Sequence, residues 1–252
     1  MKHVLVTGAA GAIGGALARA MRTAWPDVRL ALLDLDDVTP LACELGNASA
    51  HRADLRDVAS LPHVVDEIAA HAPLDGLVNC AGIMRVQAVS SWRWQDAQDL
   101  MTIDLIAPLR LQDLVLPHMI ECGRGLIVNV ASMAGKVPLK GCAYYGASKA
   151  GLAMASEIAR AELAAHGIRV VTVYPGPVKS ALEQGARDAY GGGGLFGRFA
   201  PTGDPVELAR RIMLAIAKDE PRVIYPRLYH VGWSATPFAS WFALSYGPPP
   251  VS

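Results

Sequence analysis

The sequence predicts an α/β protein: one domain on a doubly wound, mostly parallel sheet with helices on both faces, a three-layer αβα arrangement spanning residues 1–252. Three observations predict it. Short runs rich in Val, Leu and Ile alternate with longer segments of helical periodicity along the chain. A run of small residues, Thr7-Gly8-Ala9-Ala10-Gly11-Ala12-Ile13-Gly14, sits where the first apolar run gives way to the first helical segment. The 252 residues, 52% of them apolar, can bury one large core, and no linker or internal repeat divides them.

The apolar runs are His3 to Val6, Val28 to Leu33, Gly76 to Asn79, Leu126 to Val130, Arg169 to Val173 and Val223 to Tyr225. They lack polar alternation, as parallel strands covered on both faces do. Helical patterns run over Ile13 to Thr23, Leu61 to His71, Asp96 to Glu121, Tyr145 to His166 and Pro205 to Ala217. The last follows Asp204, an N-cap residue, with Pro at N1. Gly191-Gly192-Gly193-Gly194 predicts a mobile loop. Residues 226–252 form an apolar tail carrying Tyr229, Trp233, Phe238, Trp241 and Phe242. Pro226 and Pro237 break it too often for a bilayer span, so it is expected to pack on the body or on a second subunit.

Lys and Arg number 23 and Asp and Glu 23, so no field of either sign gathers nucleic acid or an anionic membrane, and a neutral small molecule is the expected partner. Cys43, Cys80, Cys122 and Cys142 are widely separated and form no CxxC pair, so neither a zinc knuckle nor a disulfide framework is indicated; no metal is expected. Met1 leads straight into a strand-like segment, and cytoplasmic residence is the expectation.

The glycine turn carries chemistry. Small residues let backbone approach a pyrophosphate closely, while the free amides and positive dipole end of the following helix meet its charge. Asp34 ends the second strand, 20 residues past Gly14, where a carboxylate accepts both hydroxyl hydrogens of an adenosine ribose and repels a 2′-phosphate. Neither Leu33 nor Leu35 is basic and the turn holds no Arg or Lys, so NAD is expected rather than NADP.

Further motifs follow in order. Asp54-Leu55 comes after the third strand, Asn79-Cys80-Ala81-Gly82 after the fourth, and Ser132 after the fifth. Tyr145-Gly146-Ala147-Ser148-Lys149 lies thirteen residues past Ser132, and Pro175-Gly176-Pro177-Val178 with Ser180 follows the sixth strand. In these motifs and their spacing the chain resembles the short-chain dehydrogenase/reductase family in its compact form, over nearly its whole length. The resemblance implies a Rossmann fold and an oxidoreductase moving a hydride between NAD(H) and a secondary alcohol or ketone. It implies that Gly8, Gly11, Ala12, Ile13, Gly14, Asp34, Leu35, Asp54, Leu55, Asn79, Ala81, Gly82, Tyr145, Lys149, Pro175, Gly176, Val178 and Ser180 line the cofactor site. Ala12 replaces a glycine of the family's turn, and Cys80 an asparagine of its NNAG.

By the same resemblance Ser132, Tyr145 and Lys149 are catalytic. Carbonyl reduction needs a proton donor at oxygen and alcohol oxidation a base there; a tyrosine with a lowered pKa serves both. Lys149, one helical turn from Tyr145, would favour the tyrosinate and hold the nicotinamide ribose, while Ser132 would hold the substrate oxygen. Ser132 lies outside any GxSxG elbow, which excludes a serine hydrolase. One departure stands out: the family carries an Asn in the helix before the fifth strand, and here that position is Asp104. Its charge near Lys149 is expected to form an ion pair or raise the pKa of Tyr145, altering the pH profile of an active enzyme.

The resemblance makes residues 181–203 a loop covering the substrate. Leu182, Leu195, Phe196 and Phe199, with Met84 and Leu139, suggest an apolar or aromatic substrate of hydroxysteroid type; Lys136, Lys140 and Arg198 offer a site for an anion instead. NAD preference leans toward oxidation. The apolar surface of the two long helices, with the family's habits, implies a homodimer or homotetramer. Two other classes compete: a non-catalytic NAD-sensing protein, which has no need of Tyr145 and Lys149, and a lyase or epimerase that retains its NAD, for which the chain leaves little room.

Overall fold

The computed structural model describes residues 1–191 and 202–250. Seven strands, β1 (His3–Thr7), β2 (Arg29–Asp34), β3 (Ala48–Arg52), β4 (Gly76–Asn79), β5 (Gly125–Val130), β6 (Ile168–Pro175) and β7 (Arg222–Tyr225), form one sheet in the order β3-β2-β1-β4-β5-β6-β7. Every pairing is parallel. This is the doubly wound fold. Six of the strands coincide with the apolar runs; β3, at the sheet edge, has Ser49, His51 and Arg52, and no apolar pattern marks it.

Alternate residues along each strand feed two cores, which is why both phases of the pleat are apolar. On one face Val4, Val6, Leu30, Leu32 and Val128 pack with Leu17 and Met21 of α1 (Ala12–Ala24) and with a helix near the C-terminus, Pro205–Ala217, through Leu208 and Ile212. On the other, Leu5, Ala31, Leu33 and Ile127 meet Leu61 and Ile68 of Leu61–Ala69 and Leu111, Val115 and Met119 of Ala107–Glu121. Numbering helices in chain order, Thr39–Leu45 is α2, Leu61–Ala69 is α3, Trp94–Met101 is α4, Ala107–Glu121 is α5, Ala143–Leu163 is α6, Ala181–Ala189 is α7 and Pro205–Ala217 is α8. Asp204 caps α8, its Oδ1 accepting from the amides of Val206 at 2.9 Å and Glu207 at 3.1 Å.

Three features escape local pattern. The single helix expected over Asp96 to Glu121 is two helices, α4 and α5, joined by a π-helical turn at Thr102–Ile106. Apolar spacing is helical on both sides of the turn, so periodicity hid it; the wider turn turns Asp104 fully inward. The covering segment expected at residues 181–203 begins as helix α7, because Ser180 caps it by accepting from Glu183 N at 3.1 Å; Leu195, Phe196, Arg198 and Phe199, with the glycines 192–194, lie outside the described residues. The described part of the tail at residues 226–252 contains two helices, α9 (Tyr229–Ser234) and α10 (Thr236–Tyr246), with Pro237 in the first turn of α10, where proline is tolerated. Among the described residues no helix is long and apolar enough to cross a membrane.

Candidate active site

The strand order reverses between β1 and β4, and a cleft of about 1100 Å³ opens beyond the carboxyl ends of those strands. Its floor at β1 is backbone. Gly8 adopts φ +68°, and a Cβ there would stand 2.6 Å from Ala81 N; a Cβ on Gly14 would stand 2.1 Å from Gly8 O. Both glycines are therefore required by close backbone approach. Gly11 precedes α1 without any side-chain cap, so the first amides of a 13-residue helix face the cleft unclaimed. The exposed start of the helix at Ala12 accommodates a methyl group in place of the family's glycine. Thr7 ties the turn to the segment after β4: its Oγ1 accepts from Cys80 N at 3.1 Å and Ala81 N at 3.2 Å. Motif matching alone gave Thr7 no such role.

Asp34, at the end of β2, accepts from Ala10 N at 2.9 Å through Oδ2 and from Asp36 N at 3.2 Å through Oδ1. The turn thus holds its carboxylate at the cleft edge. Opposite Asp34 in register stands Arg52 on β3, whose Nε donates to Leu35 O at 2.9 Å. This cation belongs to the same corner, and no local pattern marks it, since it is brought beside Asp34 only by the pairing of β2 with β3. Leu35, Asp54 and Leu55 line the same end of the cleft. The Asp54 carboxylate is taken by Arg56, 2.5 Å from Nη2, which holds it below the usual carboxylate range.

Of the residues assigned to the cofactor site, Asn79 alone does not line the cleft. Its buried side chain points between elements, donating to Asn129 Oδ1 at 2.8 Å and to Pro108 O at 3.2 Å, and so joins β4 to β5 and α5. Ala81, Gly82, Pro175, Gly176, Val178 and Ser180 do line it.

At the centre stand Ser132, Tyr145 and Lys149. Ser132 follows β5 by two residues and caps a 3-10 turn, its Oγ accepting from Ala134 N at 3.1 Å. That turn lies against α6: a Cβ on Gly135 would stand 2.6 Å from Ala150 N. Tyr145 and Lys149 sit one turn apart on α6, both buried. Lys149 Nζ donates to Val130 O at 3.3 Å and lies 5.9 Å from the centre of the Tyr145 ring. Asp104 Oδ2 is 3.7 Å from Lys149 Nζ, and Oδ1 accepts from Ile83 N at 2.8 Å. Gly82 makes room for the pair, since a Cβ there would stand 3.1 Å from both Asp104 Oδ1 and Lys149 Nζ. Burial pushes the Asp104 carboxyl up to about 6 against the pull of Lys149. Burial also raises Tyr145 above its ordinary value; the Asp104 charge adds to the rise and a hydrogen bond with Ser132 opposes it.

The other end of the cleft is apolar. Met84, Leu139 and Leu182 lie there, as expected, and so do Tyr190, Tyr229 and Phe242, which no local motif marks. Tyr190 pins the end of α7, its hydroxyl donating to Lys140 O at 2.5 Å. Tyr229 lies on the Pro175-Gly176 segment, where a Cβ on Gly176 would stand 2.8 Å from its ring. Neither lysine reserved for an anion is uncommitted: Lys136 Nζ sits 4.8 Å over the Trp233 ring, and Lys140 Nζ donates to Gly247 O at 3.1 Å. Among the described residues no cluster of His, Cys, Asp and Glu could hold a metal.

The backbone cradle, the uncapped helix start and the carboxylate at the end of β2 fit a dinucleotide. The central cluster can hold and move one proton at Tyr145 Oη.

Residues 2–191 match the short chain dehydrogenase family. A D-threitol dehydrogenase of Mycolicibacterium smegmatis is 36% identical over 207 residues, 80% of this chain and 79% of that one. A short-chain dehydrogenase from Streptomyces avermitilis superposes with a TM-score of 0.80 at 26% identity, over 98% of both chains. One from Sphingobium yanoikuyae, solved in complex with NADPH, superposes with a TM-score of 0.78 at 27% identity, over 98% of this chain and 96% of that one. With a fold and a cleft of this form behind those likenesses, the chain belongs to the short chain dehydrogenase family, whose members are nicotinamide-dependent oxidoreductases.

Proposed function

We propose that the protein is an NAD-dependent dehydrogenase or reductase that interconverts an apolar or aromatic secondary alcohol and its ketone, with Tyr145 as the acid and base. The observation that carries this reading is the buried cluster of Ser132, Tyr145 and Lys149 at the junction of the dinucleotide cradle and the apolar end of the cleft. A protein that only sensed a dinucleotide would have no use for a proton donor there.

The nicotinamide, when bound, supplies or accepts the hydride. Gly8, Gly11, Ala12, Ile13 and Gly14 would hold its pyrophosphate, Asp34 and Leu35 its adenosine ribose, Asp54 and Leu55 its adenine edge, and Pro175, Gly176, Val178 and Ser180 its amide end. In reduction Tyr145 Oη gives its proton to the carbonyl oxygen as hydride reaches the carbon; in oxidation the tyrosinate takes the hydroxyl proton as hydride leaves. Ser132 holds the same oxygen in place. Lys149 holds the nicotinamide ribose and lends positive charge.

Asp34 supports NAD, because a carboxylate held beside the glycine turn at the cleft edge would repel a 2′-phosphate. Arg52 is the opposing influence, and the solved relative with NADPH makes the preference worth measuring directly. Ile106, Met154 and Ile158, between 46 and 64% exposed around the π-turn and on α6, support a dimer or tetramer; sedimentation as a monomer at micromolar concentration would contradict it.

The reading is tested by following nicotinamide absorbance with NAD and NADP over a panel of secondary alcohols and ketones, apolar and polar, with Tyr145→Phe as the blank. Turnover is expected with NAD and an apolar member, and is expected to fall about a thousandfold in the variant. Turnover undiminished in Tyr145→Phe would overturn the mechanism.

A further inference from the structure

Asp104 is fully buried in the π-turn between α4 and α5, and its two oxygens have different surroundings. Oδ1 accepts from Ile83 N at 2.8 Å, a bond that an asparagine carbonyl would make equally well. Oδ2 has no hydrogen-bond partner among the described residues and stands 3.7 Å from Lys149 Nζ, beyond hydrogen-bond length but well inside the range of charge. The structural task of the residue therefore needs only a carbonyl oxygen, and the negative charge is surplus to it. So deeply buried, that charge acts on its neighbours strongly.

Those neighbours are few. From α6 Lys149 and Tyr145 face it, and from the segment after β4 come Ile83 N and, beyond Lys149, the Cys80 thiol, which burial pushes up to about 12 and so keeps neutral. Lys149 is the one charge of the described residues that acts appreciably on Asp104; α4 and α5 contribute none. The pair is therefore close to net neutral when both partners are ionised, and the lysine that would favour a tyrosinate is offset by a carboxylate next to it.

We propose that Asp104 is a positioning residue that acts through Lys149, cancelling its charge and keeping the Tyr145 hydroxyl protonated, so that the site is poised to donate a proton to a ketone. This role rests on the hydride-transfer reading above and gives it a direction. In the poised state Tyr145 gives its proton to the carbonyl oxygen, hydride arrives at the carbon, and the tyrosinate left behind is reprotonated from solvent. Alcohol oxidation requires the tyrosinate first and belongs to alkaline pH. NAD preference by itself leans the other way, toward oxidation, so the two influences oppose each other in this chain.

The signs follow from the charges. Above pH about 6 Asp104 is ionised and Tyr145 is held as the phenol; below it Asp104 takes up a proton and the Lys149 charge is released to act on Tyr145. Removing the carboxylate should let the tyrosinate, the form that alcohol oxidation requires, appear at lower pH.

The test compares wild type with Asp104→Asn in two ways. One is the pH dependence of oxidation and reduction rates. The other is the phenolate absorbance of Tyr145 in the cofactor-free protein, read as the difference from the matching Tyr145→Phe protein. In Asp104→Asn both the oxidation limb and the phenolate titration are expected to move to lower pH, with oxidation roughly tenfold faster at a fixed pH below the limb. Midpoints unmoved, or moved upward, would overturn the role. Asp104→Ser replaces the asparagine variant if circular dichroism shows that the latter does not fold. The wild type is decisive by itself as well: a Tyr145 phenolate midpoint at or below the ordinary value of about 10 would overturn the role without any variant. Unmoved midpoints together with an inactive Tyr145→Phe would sink this role alone, whereas an active Tyr145→Phe would sink the hydride-transfer reading beneath it.

Discussion

Where the cleft meets β1 and β2 its wall is backbone, held by a parallel sheet and by amides bonded to Asp34 and Thr7; where it meets residues 181–190 and 229–248 its wall is side chains on short helices. The first wall has almost no latitude. A Cβ on Gly14 would lie 2.1 Å from another residue's backbone oxygen, and nothing flexible is available to yield. The second wall has latitude everywhere: α7 has no buried residue, and Phe238, Trp241 and Tyr246 of α10 are each more than half exposed. Under the proposed function the two walls face different ligands. A dinucleotide presents the same pyrophosphate and ribose in every member of a family, so backbone can be shaped to it once; a substrate differs from member to member, and side chains on short helices can be changed without disturbing the sheet.

Substitutions at the two ends and between them can break this contrast. The largest effect is expected at the junction, where Tyr145→Phe should lower turnover about a thousandfold while leaving nicotinamide binding, followed by fluorescence, nearly unchanged. A loss of binding equal to the loss of turnover would place Tyr145 in the cradle instead. Next comes the rigid wall: Gly14→Val should cost about 3 kcal/mol in urea unfolding and abolish cofactor binding. If a valine there were tolerated, the close-approach argument for the whole turn would fail. At the corner between β2 and β3, Asp34→Ser should move the ratio of kcat/KM for NAD over NADP roughly tenfold toward NADP, since the carboxylate is lost and Arg52 stays. An unmoved ratio would mean that the ribose lies elsewhere. The smallest effect belongs to the yielding wall, where Phe242→Ala should raise KM for an apolar substrate roughly fivefold, about 1 kcal/mol, with KM for NAD unmoved.

Legibility in the sequence follows the same division. The sheet was readable because strands buried on both faces must be apolar throughout, and the glycine turn because close backbone approach admits few residue types. Ser132, Tyr145 and Lys149 were readable because β5 and one turn of α6 fix their spacing. The edge strand β3 was not, since one row of its side chains meets solvent, and the π-turn was not, since five residues of wider helix leave the apolar period intact on either side. Asn79 misled for a different reason: it stands beside residues that line the cleft, but it ends a strand whose pleat turns it toward Asn129 and Pro108. Tyr190, Tyr229 and Phe242 come to the cleft from three separate segments by tertiary packing alone, which local pattern does not record.

The proposed function requires a hydride to pass between substrate carbon and nicotinamide beside Tyr145. It is tested most directly by incubating the protein with NAD and a secondary alcohol carrying deuterium on its carbinol carbon, then locating the label by mass spectrometry. Deuterium in the reduced nicotinamide, one atom per ketone formed and none when Tyr145→Phe replaces the wild type, is the predicted result. Ketone formed without label in the nicotinamide, or label transferred equally well by Tyr145→Phe, would contradict it.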